Sequence, residues 1–345
     1  MTDIRSMYLD ELKNVMAQLG EKPFRAAQLF SWLHEKQAES YDEMSNLSSA
    51  LRQKLSEEFR LVTLKQADCL VSKKDGTRKY LFELPDGNVI ESVLMKYHHG
   101  NSVCISSQVG CSMGCAFCAS TIGGKVRDLA ASEMLEQIYR IQKLTGERVS
   151  NIVVMGSGEP FDNYDNLIRF IKLASDGKGM NISIRNITVS TCGIVPKMYE
   201  FADEKLPVTL AVSLHASNDD ERKQLMPIAK RYSVKEVMRA AKNYFEVTGR
   251  RVTFEYALVA GKNDSKDDAD RLSALLKGFP CHVNLIPVNP VNERNFRPPR
   301  GDETVNFQNK LEKNRINVTI RREMGSDING ACGQLRKSYI SKIQN

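Results

Sequence analysis

Near the start of the chain, apolar residues recur at helical spacing. In PFRAAQLFSWLHEKQ, Phe24, Leu29, Phe30 and Leu33 fall near one helical face, and Pro23 suits a first turn. SSALRQKLSEEF predicts a second helix, so residues 1–65 are expected to form a small helical domain. The period then drops to two. RKYLFELPDGNVIESVLMKY alternates apolar and polar residues on both sides of Pro85-Asp86-Gly87, which predicts a β-hairpin within an extension over residues 66–97. From residue 98 to 345 the pattern is strand, loop, helix, repeated. Strands are predicted at SVCISS (102–107), NIVVM (151–155), NITVS (186–190), VTLAVS (208–213), VTFEYALV (252–259) and HVNLIP (282–287). Helical stretches such as ASEMLEQIYRIQKLTG, with Met134, Ile138, Ile141 and the stop Gly146, lie between them. Six strands alternating with helices imply an α/β fold of parallel βα units. NVTIRRE is a candidate further strand, followed by a short C-terminal helix. Closed and open sheets of this kind both place active sites at the C-terminal ends of the strands.

Composition adds little to that picture. The 345 residues are 41% hydrophobic and 26% charged, ordinary for a soluble globular protein. No run of 18 apolar residues exists, which argues against a membrane span. The opening MTDIRSMYLDELKN is amphipathic and mixed in charge, so a cytoplasmic location is expected. Charge is more informative by region than in total. Against a net +7, residues 1–97 balance 14 basic with 15 acidic residues. Residues 222–251 carry nine basic and two acidic residues, and 292–345 carry eleven and six. Those two regions are a candidate footprint for a phosphate backbone, with an ordinary solvated face as the alternative.

The cysteines carry the chemistry. Eight in a cytoplasmic protein point to metal or redox work rather than a disulfide framework. Cys111, Cys115 and Cys118 share one short loop, GCSMGCAFC, just after the first core strand. Iron–sulfur clusters normally have four cysteine ligands, so a three-cysteine loop leaves one iron of a 4Fe-4S cluster open. In radical chemistry that iron binds S-adenosylmethionine (SAM), whose cleavage the cluster drives with one electron. A structural zinc site is the alternative, with His98 or His99 as fourth ligand. Phe117 would wall the cluster from water. After the second strand, GSGEP (156–160) offers glycines for close backbone approach and Glu159 as an acceptor for an ammonium group.

Taken in order, CISSQVGCSMGCAFC, MGSGEP, STCGIVP, AVSLHA, NLIPVNP and GACGQL resemble the radical SAM adenine methyltransferases of ribosomal RNA, the RlmN/Cfr family. The match runs from about residue 79 to 340, and PFRAAQLFSWLH resembles that family's small RNA-binding domain. The fold this implies is a partial (β/α)6 radical SAM barrel with a helical N-terminal domain and a β-hairpin extension. By position, Cys111, Cys115 and Cys118 match the cluster ligands. Gly158, Glu159, Ser190, Ser213, Leu214, His215 and Asn289 match the SAM-contacting positions. Cys332 matches a cysteine that is itself methylated, Cys104 its transient disulfide partner, and Glu91 the proton acceptor.

The chemistry this resemblance implies is coherent. Adenine carbons 2 and 8 are poor nucleophiles, whereas a cysteine takes a methyl group readily. One SAM methylates Cys332, a second provides the radical that activates that methyl group, and the resulting carbon radical adds to the ring. Glu91 removes the ring proton, and Cys104 attacks the Cys332 sulfur, leaving a disulfide for a reductant to reopen. Without the resemblance, Cys332 reads as an inert thiol, Cys104 as core, Glu91 as a solvent-facing strand residue and His215 as structural. Cys69, Cys192 and Cys281 are expected to be packing residues.

Pro160 after Gly-Glu resembles the carbon 2 branch, where the carbon 8 branch, which confers antibiotic resistance, has Ala. Ser157 departs from the Met usual in both. The implied substrates are an adenosine at the peptidyl-transferase centre of 23S rRNA and adenosine 37 of certain tRNAs. The expected partners are those RNAs and an electron donor, the enzyme itself being a monomer. A non-catalytic RNA-binding protein with a structural metal site is the alternative from another class.

Overall fold

The computed structural model describes residues 2–290 and 295–328. The N-terminal domain holds β1 (Thr2–Asp3), α1 (Leu9–Gln18), α2 (Phe24–His34), α3 (Ser49–Glu58) and β2 (Phe59–Arg60), with β1 and β2 paired in parallel. Leu29, Phe30 and Leu33 of α2 bury against Leu12 and Met16 of α1, as the α2 spacing predicts, but Phe24, expected on the same face, is 53% exposed because it stands at the first position of the helix, at the domain edge. The Ser48 side chain accepts the Leu51 N–H and starts α3.

This domain is fastened to the rest by buried polar contacts. The fully buried Arg5 guanidinium donates to Glu136, to Val62 O at 2.8 Å and to Ala38 O. The other Glu136 oxygen accepts the Leu64 N–H at 3.1 Å. His34 Nδ1 meets the Tyr139 hydroxyl at 2.9 Å.

The extension is larger than a hairpin. β3 (Lys65–Val71), β4 (Arg78–Glu83) and β5 (Val89–Tyr97) form an antiparallel meander, and β5 pairs antiparallel with β6 (Gly100–Ile105). The meander is thus continuous with the core sheet. Polar side chains of the meander are buried on both faces of the sheet, each with a partner. Lys79 Nζ stands 3.2 Å from a Glu91 carboxylate oxygen, and the Ser92 hydroxyl donates to Gln137 at 2.8 Å.

A short ribbon, β7 (Gln108–Gly110) with β8 (Lys125–Asp128), brackets the cysteine loop. Then follow α4 (Ala131–Thr145), β9 (Val149–Val154), α5 (Tyr164–Ser175), β10 (Ile187–Thr191), α6 (Val195–Asp203) and β11 (Thr209–Ser213). The chain continues through α7 (Asp219–Leu225), α8 (Val234–Thr248), β12 (Val252–Leu258), α9 (Lys266–Leu276), β13 (Cys281–Pro287), α10 (Gly301–Lys313) and β14 (Asn317–Ile320). Among the described residues the sheet has ten strands in the order β14-β13-β12-β11-β10-β9-β6-β5-β4-β3. Strands β6 and β9 to β14 are mutually parallel. All six predicted core strands are present, and NVTIRRE contributes the seventh parallel strand as β14. The architecture is an open α/β barrel, with helices such as α4 burying Met134, Leu135, Ile138 and Ile141 on its outside. The predicted C-terminal helix and Cys332 lie outside the described residues.

Candidate active site

The cysteine loop lies just past the C-terminal end of β6 and opens on a cavity of about 250 Å³. Cys111, Cys115, Phe117 and Cys118 line one side, and Gly158, Glu159, Ser190, Ser213, His215 and Asn289 the others. Residues from five separate stretches of the sequence therefore meet at one end of the parallel strands. Leu214 is the exception among the predicted SAM contacts. Its side chain is buried in the main core, and only its backbone works at the site, donating N–H to Glu255 O at 3.0 Å.

The loop is held by its own backbone. Cys111 N–H donates to Gly124 O at 3.1 Å, Ala116 N–H to Leu225 O at 2.8 Å, and the Thr121 hydroxyl to Cys118 O at 2.9 Å. Cys115 packs with Cys192, Leu225, Met226, Val259 and Val288 in a small apolar cluster, against which Phe117 and Cys118 also rest. Burial pushes the Cys111 thiol up to about 12 and raises Cys115 further. Burial thus favours the neutral thiols, and binding of a metal to them as thiolates releases protons.

Cys111, Cys115 and Cys118 are three soft donors lining one side of the cavity against an apolar cluster, a donor set that fits an iron–sulfur cluster with one iron left open. His98 and His99 follow β5 and precede β6, at the end of β6 away from the cysteine loop. Six strand residues span about 20 Å, too far for either histidine to serve as a fourth ligand.

The glycine-rich loop after β9 is shaped by close approach. A Cβ on Gly158, at φ +108, would stand 2.6 Å from Gln108 Cβ, and one on Gly156 would stand 2.6 Å from Ile105 O. Ser157, where the resembling family has Met, is buried, and its hydroxyl meets Ser120 Oγ at 3.1 Å. The Glu159 carboxylate accepts the Phe161 N–H at 3.0 Å and the Cys192 N–H at 2.7 Å. These bonds fix its rotamer and leave lone pairs for a ligand ammonium. Burial nonetheless holds its carboxyl above the ordinary range, because the desolvation outweighs the backbone donors.

His215 adopts φ +57, and its Nδ1 accepts the Ala257 N–H at 2.9 Å. The ring proton is thereby assigned to Nε2. Burial, with the nearby Arg222 charge, lowers its pKa to about 3, so the imidazole is neutral. Phe117 meets the His215 ring edge-on at 4.9 Å, joining the cysteine loop to the β11 loop.

Sequence reasoning missed several residues here. Arg222 is fully buried and donates to Leu214 O (3.1 Å), Cys192 O (2.7 Å) and Ser213 O (3.1 Å), binding the ends of β10 and β11 together. It sits in DDERKQL, which reads as an exposed charged helix, and nothing local betrays it. Gln108 donates to Asp128 and Asp162 while accepting the Glu159 N–H at 2.9 Å. Glu255, whose carboxyl burial raises, also lines the cavity and accepts Asn284 Nδ2 at 2.9 Å. Cys192, expected only to pack, lines the cavity and donates its backbone N–H to Glu159. Cys281 is buried in the core and Cys69 packs against it, as expected.

A second cavity of about 300 Å³ shares Ile286, Val288, Asn289 and Arg321 with the first. Val93, Met95 and Cys104 form one wall. Val93 of β5 lies opposite Cys104 of β6, and strand alternation puts Glu91 on the same face as Val93 and Met95. Glu91 is buried, not solvent-facing, because the interior side of β5 is enclosed. The Ser106 hydroxyl donates to Glu91 O at 2.8 Å, so Glu91 stands level with the start of the loop that leads to the cysteines.

Residues 105–272 match the radical SAM superfamily, and residues 2–61 match the ribosomal RNA large subunit methyltransferase N-terminal domain. A Lachnospira eligens protein named "Probable dual-specificity RNA methyltransferase RlmN" is 65% identical over 343 residues, covering 99% of this chain and 98% of its own. A Clostridium perfringens protein of the same name is 54% identical over 340 residues, covering 99% and 98%. The crystal structure of a radical SAM methyltransferase from Sphaerobacter thermophilus superimposes with a TM-score of 0.92 at 42% identity, covering 97% of this chain and 99% of that one.

Proposed function

The chain belongs to the RlmN family of radical SAM RNA methyltransferases, and from that premise we propose that it methylates carbon 2 of an adenosine. The proposed targets are the adenosine at the peptidyl-transferase centre of 23S rRNA and adenosine 37 of tRNAs. The relatives' name, dual-specificity RNA methyltransferase, supports the pairing of two RNA classes.

One observation carries the reading. Cys104 and Glu91 share the inner face of the sheet, in or beside a cavity that adjoins the one the three-cysteine loop opens on. In this reading Cys111, Cys115 and Cys118 hold a 4Fe-4S cluster. When bound, the cluster and SAM supply the electron, the methyl group and the hydrogen-abstracting radical. The glycine backbone at 156–158 and the Glu159 carboxylate receive the methionine end of SAM, and the neutral His215 offers an Nε2–H donor beside Ser190, Ser213 and Asn289. Phe117 and the apolar cluster around Cys115 keep water from the cysteine loop.

Cys332 carries the one-carbon unit to the adenine. Glu91 accepts the proton lost from the ring carbon. The Cys104 thiolate attacks the Cys332 sulfur, so the sulfur–carbon bond breaks as the S–S bond forms; the released carbon takes up a proton to become the methyl group, the adduct's unpaired electron would return to the oxidised cluster, and an external two-electron reductant reopens the disulfide. The basic residues that follow the buried Arg222 (223–251) and the stretch 292–345 supply charge for the RNA backbone, together with the N-terminal domain. The protein works as a cytoplasmic monomer.

Mass spectrometry of nucleosides from RNA treated with the cluster-loaded protein tests the proposal. It predicts 2-methyladenosine. 8-Methyladenosine would place the chain in the carbon 8 branch instead, and unmodified RNA would reject the activity.

A further inference from the structure

A carboxylate that takes a proton from a ring carbon must be held in place at that carbon, and inside a protein its oxygens need partners. Glu91 is 3% exposed, and the partner at its side chain, Lys79, is fully buried. Lysine is rarely found without solvent unless its charge is matched. The two meet at 3.2 Å across neighbouring antiparallel strands. Their register is informative. Lys79 of β4 pairs with Val93 of β5, and Val93 pairs with Cys104 of β6, so Lys79, Val93 and Cys104 form one row across the sheet. Glu91 lies two residues before Val93, one step toward the end of β6 that leads into the cysteine loop. The lysine thus rises from the Cys104 row to grip the carboxylate from below, away from the cysteine loop.

An ion pair placed only for stability would be a poor choice here. Buried pairs are commonly no more stabilising than apolar residues of similar volume. The neighbours Val93 and Met95 show that this face accepts apolar side chains. A pair kept at this position, beside the second cavity, is accounted for by what it does to the carboxylate. From this geometry we infer that Lys79 is a positioning residue for the reaction, gripping the Glu91 carboxylate and aiming it at the ring carbon whose proton it removes. The inference rests on the assignment of Glu91 as proton acceptor. Lys79 does not touch the adenine. It acts through Glu91.

The test compares Lys79→Met with Glu91→Gln in the full-length, cluster-loaded protein acting on RNA. Both variants should still methylate Cys332, a step that precedes proton removal, and should keep the wild-type KM for RNA. Both should lose turnover by about tenfold or more, within the range of one general base. Both should accumulate protein covalently joined to RNA, visible on a denaturing gel, because the adduct on Cys332 cannot shed its ring proton. That build-up is a signature a merely structural defect would not produce.

Should Lys79→Met melt below the assay temperature, Lys79→Gln, which keeps a donor without the charge, carries the same prediction. Normal turnover in both lysine variants beside a slow Glu91→Gln would overturn the Lys79 role alone. Slow lysine variants without the adduct would overturn it too. Normal turnover in Glu91→Gln would instead remove the acceptor assignment on which the inference stands.

Discussion

Glu159→Gln is the substitution whose consequence is best determined by the geometry. The carboxylate uses one oxygen for the Phe161 N–H at 3.0 Å and the other for the Cys192 N–H at 2.7 Å. Glutamine is nearly isosteric but has a single acceptor. Whichever way its amide turns, one backbone N–H faces an NH2 group and is left without a partner. A hydrogen bond to a charged group contributes about 1.5–3 kcal/mol, and the surviving bond weakens to about 1 kcal/mol.

Against that loss stands a gain. Burial already raises the Glu159 carboxyl, so removing the charge returns part of its desolvation. The net destabilisation is then about 1–2 kcal/mol, readable by urea denaturation. Linkage gives a second check. A carboxyl raised in the folded state costs stability as pH climbs above its unfolded value, and glutamine lacks that cost. The stability gap between wild type and variant should therefore be widest in acid and narrow toward neutral pH. Loss of the proposed partner for the SAM ammonium should weaken SAM binding by about 10- to 150-fold, the equivalent of one charged hydrogen bond. A gap that widens with pH, or SAM binding equal to wild type by equilibrium dialysis, would refute the reasoning.

Three further outcomes are expected. Gly158→Ala drives a Cβ to 2.6 Å from Gln108 Cβ at a φ of +108, and should cost about 1–3 kcal/mol in denaturation while abolishing tight SAM binding. Arg5→Met leaves the Glu136 carboxylate buried without its cation, and should cost about 3–5 kcal/mol, with the N-terminal domain becoming sensitive to limited proteolysis. His34 and His215 are both lowered to about 3 by burial, so the unfolded chain binds more protons below about pH 6.5 and stability falls with acid. At pH 5 that loss is about 2 kcal/mol per histidine. A wild-type loss between pH 7 and 5 no larger than that of His215→Gln would contradict the assignment of a buried neutral imidazole.

What was legible in the sequence was local. The core strands announce themselves as apolar runs bounded by turns, and the three loop cysteines sit within eight residues of one another. Long-range pairing was not legible. Lys79 and Glu91 look like the polar side of an exposed hairpin until the register of β4 and β5 brings them together inside the sheet. Arg222 looks like one charge in a charged helix, yet it collects carbonyls from two loops remote in sequence. Leu214 sits inside the Ser-Leu-His run, but its side chain points away from the cavity that its neighbours line. Each of these depends on where a second segment folds, which no spacing encodes.

The central claim is that three cysteines serve the cluster while Cys332 and Cys104 relay the methyl group. The most direct test is the mass of the peptide containing Cys332, isolated from cluster-loaded protein after exposure to SAM without RNA. The account predicts a gain of one methyl group on Cys332, and loss of that label to the adenosine when RNA is then added. Methylated RNA from protein whose Cys332 never gains the methyl group would contradict it.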